Sequence, residues 1–333
     1  MNIIIPMAGR GKRLRPHTLT VPKPLVKLAG KPIVQHLVED ISALLNEPLN
    51  KVVFVTGRFG TEVEEHLLEV AKNLGGKGEI AYQDEALGTA HAIWCAKHAL
   101  EGKTIVAFAD TLFTANFKLD PDSDGVLWVK QIDDPSSFGV VKLNENGNIV
   151  DFVEKPKEFV SDLAMIGIYY FKEGRELYSE IEYLITNEVM KGGEYQLPDA
   201  LKRMTEKGKA FLPGKVNEWM DCGNARVTVE TAGKVLDIKY GSESYDGNIE
   251  ITNSTIIEPC YIGPGSKIIN SVIGPRVSVG KDTVIRDSRI SESLIQDETE
   301  IIGRFIKNGM VGSSVVIESK PEEPSIGDFN SIR

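Results

Sequence analysis

The chain opens on Asn2-Ile3-Ile4-Ile5-Pro6-Met7-Ala8-Gly9-Arg10-Gly11-Lys12-Arg13-Leu14-Arg15-Pro16. The short, β-branched apolar run from Asn2 to Pro6, ending in a glycine-containing loop, is the pattern of a buried parallel strand leaving its sheet at the carboxyl end. Open α/β sheets bind ligands at that end. Small residues in the loop let main-chain N–H groups approach anionic oxygens, and the cations beside them add charge. From Met1 to Lys31 the chain has seven Lys and Arg residues and no Asp or Glu, although its net charge is −10. This local reversal of sign points to a small polyanionic ligand. The acidic whole argues against a nucleic-acid partner, which needs a broad basic field.

Two familiar phosphate loops do not fit. The GxxxxGK[ST] spacing of a P-loop is absent. A nicotinamide fingerprint fails too, because Gly9-Arg10-Gly11-Lys12-Arg13-Leu14 lacks the third glycine and Glu39 comes too late to hold a ribose.

Outward from the loop, strand and helix alternate. Ile33 to Leu45 has apolar residues at helical spacing, and Lys51 to Thr56 (KVVFVT) reads as a second buried strand. Helices are expected at Thr61 to Leu74 and Thr89 to Leu100, with strands at Glu79 to Tyr82 and Thr104 to Ala109. That order predicts an α/β, doubly wound sandwich. Longer, better alternated strands between Gly125 and Phe171, with a turn at Asn144-Glu145-Asn146-Gly147, predict antiparallel strands and hence a mixed sheet. Helices at Glu173 to Tyr183 and Leu197 to Lys207, a strand at Ala210 to Val216 and a closing helix at Asn224 to Tyr240 complete a first domain, 1–240.

After a linker at 241–247 the texture changes. Apolar residues recur every six positions at Ile256, Ile262, Ile268, then Ile273, Val279, Ile285, then Ile295, Ile301. A hexapeptide period is the signature of a parallel β-helix, expected over 248–318 with three to four coils. The slips of five and ten residues read as small insertions at corners. A tail rich in Pro, Glu and Ser follows at 319–333.

At 333 residues, with 41% hydrophobic and 26% charged residues, the chain has room for two cores. No stretch approaches the ~20 apolar residues of a membrane span, so no membrane partner and a cytoplasmic location are expected. The cysteines Cys95, Cys222 and Cys260 lack CxxC spacing and read as free thiols in a reducing compartment.

AGRGKRLRPHT at 8–18 and VPKPLVKLAGKPI at 21–33 resemble the signature of the sugar-phosphate nucleotidyltransferase family, GGxGTRLxPxT followed by PKPL. The likeness covers about residues 2–235, with further motifs in the same order. It implies a Rossmann-like nucleotidyltransferase domain followed by a left-handed β-helix. The implied activity joins a nucleoside triphosphate to a sugar 1-phosphate, releases pyrophosphate and depends on Mg²⁺. By resemblance, Met7, Ala8, Gly9, Gly11 and Lys12 wrap the triphosphate, Arg13 contacts the phosphates and Lys23 steadies the sugar phosphate and the transition state. Ala8 and Lys12 depart from the family's glycine and threonine, and Ala8 suits its place only at negative φ. Gln83 and Gly88, in Tyr82-Gln83-Asp84-Glu85-Ala86-Leu87-Gly88-Thr89-Ala90-His91-Ala92, match the residues that read the base edge. Asp110, after the strand at Thr104, and Asp221, in Glu218-Trp219-Met220-Asp221-Cys222-Gly223, match the pair that holds the metal. Either aspartate alone reads first as a helix cap or turn residue; the pair, matched to both family positions, reverses that reading.

On the sugar side, Gly139 in Phe138-Gly139-Val140-Val141 and Glu154-Lys155 in Val153-Glu154-Lys155-Pro156 match the glycine that admits the sugar and the residues that bind its hydroxyls and phosphate. Gly167 matches the strand beside the sugar. Glu194-Tyr195-Gln196-Leu197-Pro198-Asp199 resembles ExQLTDA and reads as a helix start.

The preferred substrates implied are dTTP, then UTP, with glucose 1-phosphate; alkylation of Cys222, next to Asp221, is expected to reduce activity if that loop is accessible. A homo-oligomer through the β-helix is expected. The alternatives are a catalytically silent nucleotide sensor and a second, acyl-transferring activity. The latter lacks a base, since His17, His36, His66, His91 and His98 all precede the β-helix.

Overall fold

The computed structural model describes residues 1–9, 11–45, 47–115, 123–240, 244–245 and 247–319. Arg10, most of the expected linker and all of the tail beyond Ser319 lie outside them. Chain contacts define two units: Met1–Val26 with Lys31–Gly223, and Lys27–Gly30 with Asn224 onward.

The first unit is built on strands β1 (Asn2–Pro6), β2 (Lys51–Thr56), β3 (Lys77–Tyr82), β4 (Thr104–Ala107), β5 (Thr111–Thr114), β6 (Gly125–Gln131), β7 (Gly139–Leu143), β8 (Ile149–Glu154), β9 (Leu163–Phe171), β10 (Phe211–Lys215) and β11 (Glu218–Asp221). Its helices are α1 (Ile33–Leu44), α2 (Thr61–Asn73), α3 (Thr89–Cys95), α4 (Gly174–Thr186) and α5 (Leu197–Glu206). Nine strands form one mixed sheet in the order β3-β2-β1-β4-β9-β6-β10-β8-β7. Ile3, Ile4 and Ile5 of β1 are wholly buried, and β1 pairs in parallel with both β2 and β4. A strand covered on both faces has no use for alternation, which is why this one is apolar throughout. The antiparallel half begins at β9, which runs against β4 and β6.

Two expected boundaries shift. Helix α3 ends at Cys95, and a 3₁₀ turn at Lys97–Ala99 finishes the segment expected to be helical to Leu100. Strand β4 stops at Ala107, although Phe108 N–H still donates to Gly167 O (2.9 Å), near the point where β9 shifts register against β6 between Met165 and Tyr169. Gly167 has φ +84°, a conformation that favours glycine. Strands β5 and β11 make a separate two-stranded antiparallel sheet.

The second unit is a parallel β-helix. Its strands fall into two five-stranded sheets and one four-stranded sheet, every pair parallel and in register, consistent with the left-handed form. Ile268, Ile285 and Ile301 form one buried inward column, in register with the exposed Ile251 before it and the partly buried Ile317 after it. Ile256, Ile273, Ile290 and Ile306 form the second, and Ile262, Val279, Ile295 and Val311 the third.

The reading of the phase slips as insertions is therefore corrected. Successive coils repeat after 17 residues and then 16, so the slips are sides shortened by one residue. The step of ten is two steps of five through Ile290. Short sides are closed at corners by left-handed residues such as Asn253, Asn270 and Asp287, with φ of 46°, 49° and 48°. Asn253 Nδ2 donates to Asn270 Oδ1 (2.9 Å), and Asn270 Nδ2 donates to Asp287 Oδ1 (3.1 Å). Corner hydroxyls accept N–H groups of the next coil, as in Ser271 N–H to the partly buried Ser254 Oγ (3.0 Å) and Thr283 N–H to the buried Ser266 Oγ (3.1 Å). These bonds satisfy backbone donors that turn away from the ladders.

The expected domain limit at 240 also moves. Helix α6 (Ala225–Lys239) groups with the β-helix and packs on the strands Val277–Val279 and Ser293–Ile295. Val235 and Leu236 are fully buried, Gly233 lies against Arg276, and Arg276 Nε donates to Asp237 Oδ2 (2.8 Å). Ser244–Tyr245, within the expected linker, is a strand paired with Tyr261–Ile262. The tetrapeptide Lys27–Gly30 seats on the same unit: Leu28 is buried, Ala29 N–H donates to Ser278 Oγ (3.0 Å), and Lys27 Nζ meets Asp297 Oδ2 (2.6 Å). Among the described residues, no helix is long and apolar enough to cross a membrane.

Replacing the fully buried Ile285 by Ala should cost the β-helix about 2–5 kcal/mol, because a stacked column cannot close around the void. Chemical denaturation followed by hydrogen exchange in the coils checks this; a loss below about 1 kcal/mol contradicts the packing argument.

Candidate active site

Most of the site's lining comes from segments that follow the carboxyl ends of strands. The main cleft of the first unit, about 430 Å³, is lined by the loop after β1, the Lys23 turn, the loop after β3 and the residues that follow β4. Gly11 has φ 58° and ψ 37°, and a Cβ there would come within 2.8 Å of Lys23 Cβ. Both conformation and space therefore require glycine. Thr18 Oγ1 donates to Gly11 O (2.8 Å) and holds the turn. Ala8 is not among the residues with positive φ, so the departure from glycine causes no strain there. A Cβ on Gly9 would meet nothing within 4 Å.

Lys23 is 7% exposed, which for lysine requires a partner. Its Nζ lies 3.0 Å from Asp110 Oδ2. Asp221 reaches the same place through the β5–β11 pairing, in which Asp221 sits opposite Thr111, and Cys222 N–H donates to Asp110 O (3.1 Å). Burial raises the pKa of Asp221, the Gly223 N–H (2.9 Å) and Lys23 oppose this, and the Asp110 carboxylate adds to it. Two neighbouring carboxylates, one withdrawn from water, carry more negative charge than Lys23 offsets. That donor set fits a hard divalent cation whose other ligands are waters and phosphate oxygens. Among the described residues no group of three or more His, Cys, Asp or Glu side chains is placed to hold a metal ion.

Gln83, at the end of β3, donates from Nε2 to Gly88 O (3.2 Å) and lies 3.2 Å from His91 Nδ1. Gly88 has φ +105°, and a Cβ would come within 2.8 Å of Tyr195 N. The turn is pinned on both sides, by Tyr195 N–H to Leu87 O (2.8 Å) and Ala90 N–H to Tyr195 O (3.0 Å).

A second cluster gathers on β7 and β8. Gly139 pairs with Glu154, and a Cβ on Gly139 would come within 2.7 Å of Glu154 Oε2 and 2.5 Å of Met165 Cε. Lys155, at φ 43°, donates its N–H to Phe138 O (3.1 Å), and its Nζ is 3.8 Å from Glu154 Oε1. Although 42% of the Glu154 side chain reaches solvent, desolvation raises its pKa; Lys155 opposes this and Glu194 reinforces it. Phe138 meets Trp219 of β11 edge-on, with ring centres 4.8 Å apart.

The family model for nucleotidyl transferases matches residues 2–237. The chain belongs to this family. One relative, the bifunctional protein GlmU of Methanococcus maripaludis (strain C5), is 31% identical over 78% of this chain and 60% of its own length. The chain thus spans 60% of that relative. The glucose-1-phosphate thymidylyltransferase of Streptomyces griseus is 27% identical over 97% of this chain and 95% of its own length. Among solved structures, a nucleoside-diphosphate-sugar pyrophosphorylase from Vibrio cholerae RC9 superposes with a TM-score of 0.59 at 22% identity, covering 69% of this chain and 99% of that one. At that identity the likeness speaks for the fold alone.

Of the residues singled out from sequence in this family member, Met7, Ala8, Gly9, Gly11, Lys12, Arg13, Lys23, Gln83, Gly88 and Asp110 line one cleft. Asp221 feels the charges of Lys23, Asp110 and Arg13, and its neighbour Gly223 lines the cleft. Gly139, Glu154 and Lys155 stand together on β7 and β8, and Gly167 backs Phe108, itself a lining residue. Sequence reasoning missed Glu194, which lines the cleft and bears on Glu154. The first position of the Glu194-Tyr195-Gln196 motif was the available signal, set aside as a helix start.

Cys222 is fully buried, so the accessibility on which its expected alkylation depends is not met. Burial pushes the Cys260 thiol up to about 12, and Cys260 is also fully buried. Alkylation at pH 8 should modify at most Cys95 in the folded protein and all three thiols after unfolding. Intact-mass counting checks this, and rapid native labelling at Cys222 contradicts the burial.

Proposed function

We propose that this chain transfers a nucleotidyl group from a nucleoside triphosphate, dTTP or UTP preferred, to a sugar 1-phosphate, glucose 1-phosphate preferred. The observation that carries the reading is the buried Lys23, its Nζ 3.0 Å from the half-exposed Asp110 carboxylate, in a cleft walled by a glycine- and cation-rich loop. The Streptomyces griseus thymidylyltransferase, aligned over 97% of this chain, supports the substrate preference. A cytoplasmic setting and a homo-oligomer through the β-helix are part of the same reading.

An oxygen of the sugar phosphate attacks the α-phosphorus in line; the new P–O bond forms as the bond to the β-phosphate oxygen breaks, and pyrophosphate leaves. Such transfers need positioning and charge neutralisation more than covalent help. The loop N–H groups with Lys12 and Arg13 take the developing charge on the leaving pyrophosphate. Lys23 holds the attacking phosphate against the α-phosphate, and Lys155 anchors it from the sugar side. Glu154 accepts hydrogen bonds from sugar hydroxyls, and Gly139 leaves room for the ring. Gln83 and the backbone at Gly88 meet the base. Asp110 and Asp221 would hold Mg²⁺, which would supply charge neutralisation on the α-phosphate.

Pyrophosphate release should require both substrates and be abolished by EDTA. Lys23→Ala and Asp110→Asn should each lower kcat by about 100- to 1,000-fold with unchanged circular dichroism. A panel of nucleoside triphosphates against sugar 1-phosphates, with and without Mg²⁺, provides the test. Tight nucleotide binding without pyrophosphate release from any pair would sink the proposal in favour of a sensor.

A further inference from the structure

We infer that His91 is a specificity-determining positioning residue: together with the Gly88 carbonyl it locks the Gln83 amide so that only its oxygen faces the base, selecting bases that offer an N–H there. The inference rests on the nucleotidyl-transfer reading of this cleft.

The chemistry of the acceptors fixes the amide. Gly88 O can only accept a hydrogen bond, so the Gln83 atom 3.2 Å from it must be the nitrogen. The same Nε2 lies 3.2 Å from His91 Nδ1, which must then present a lone pair. That defines a neutral ring with its proton on Nε2. A nitrogen facing two acceptors is held in orientation, whereas a free amide could turn over at little cost. Among the described residues, none donates a hydrogen bond to Gln83 Oε1, which leaves that oxygen for a ligand.

The surroundings hold the ring as well. His91 lies three residues after Gly88, one helical turn, and Trp94 stacks on it with ring centres 6.0 Å apart and planes 19° apart. The start of α3 is fixed by Leu197 N–H donating to Thr89 Oγ1 (2.9 Å). Partial burial lowers the imidazole pKa, opposed by the charge and carbonyl of Glu85, which favours the neutral ring. With the central nitrogen of its Watson–Crick edge toward Gln83, uracil, thymine or guanine offers an N–H, whereas cytosine or adenine brings a lone pair against Oε1. The lock therefore discriminates mainly by repulsion of the wrong base.

The test compares His91→Phe, which keeps a stackable ring but loses the acceptor, with His91→Gln, which restores one. In His91→Phe the kcat/KM ratio of UTP to CTP should fall about tenfold, mostly through KM, with kcat within about twofold, and His91→Gln should recover most of the ratio. An unchanged ratio in a folded His91→Phe overturns the inference. A measurement on the unmodified protein guards against misfolding of the variant: the ¹⁵N shifts of His91 at pH 7.5 should report a neutral ring protonated at Nε2. A proton on Nδ1 overturns the lock whatever the variants do. Wild-type protein inactive with every triphosphate would sink the transfer reading alone, since the tautomer result still decides the lock.

Discussion

The pairing of β5 with β11 is the constraint on which the site depends. It sets Asp221 opposite Thr111, one residue beyond Asp110, and so holds two carboxylates side by side although 111 positions separate them in the chain. Like charges at that separation repel, and burial of Asp221 raises the cost. Lys23 answers part of it from the other side of the cleft, where its own burial is tolerable because Asp110 lies 3.0 Å away. Each member is costly alone, and the group is stable as a set that still carries negative charge. Carboxylates on one wall and the cations Lys12 and Arg13 on the loop after β1 suit the cleft to receive a cation together with a phosphate ligand.

The loop after β1 solves a different problem, that of bringing backbone and cations to one anionic ligand. Gly11 gives up its side chain so that the chain can turn left-handed against the stem of Lys23. Gly88 does the same against Tyr195, and there the turn also carries the acceptor that orients Gln83. These glycines mark places where another segment passes at contact distance. The β-helix uses backbone differently: its coils shorten from 17 to 16 residues while the inward columns stay in register, because the corners absorb the change.

Much of this was legible from residue order. The all-apolar β1, the alternation of strands and helices and the hexapeptide texture each express a local period that the folded chain kept. The motif order led to ten residues that now line one cleft. Less legible was anything set by long-range contact. Helix α6 reads like the last helix of the α/β unit, yet its buried face packs on the β-helix. Ile290 disappeared from the six-residue count because two sides of its coil are short. Residue order left the accessibility of Cys222 open, and the β5–β11 ladder leads it into the interior.

The sequence by itself determined the family, the two kinds of architecture and the residue types at the chemical positions, since periodicity and short-range motifs are properties of neighbours in the chain. Only the tertiary structure decided which side chains share charge, which thiols water can reach, and which way the Gln83 amide faces. Those depend on distances between segments far apart in sequence, and neither electrostatic coupling nor hydrogen-bond direction exists until the segments meet.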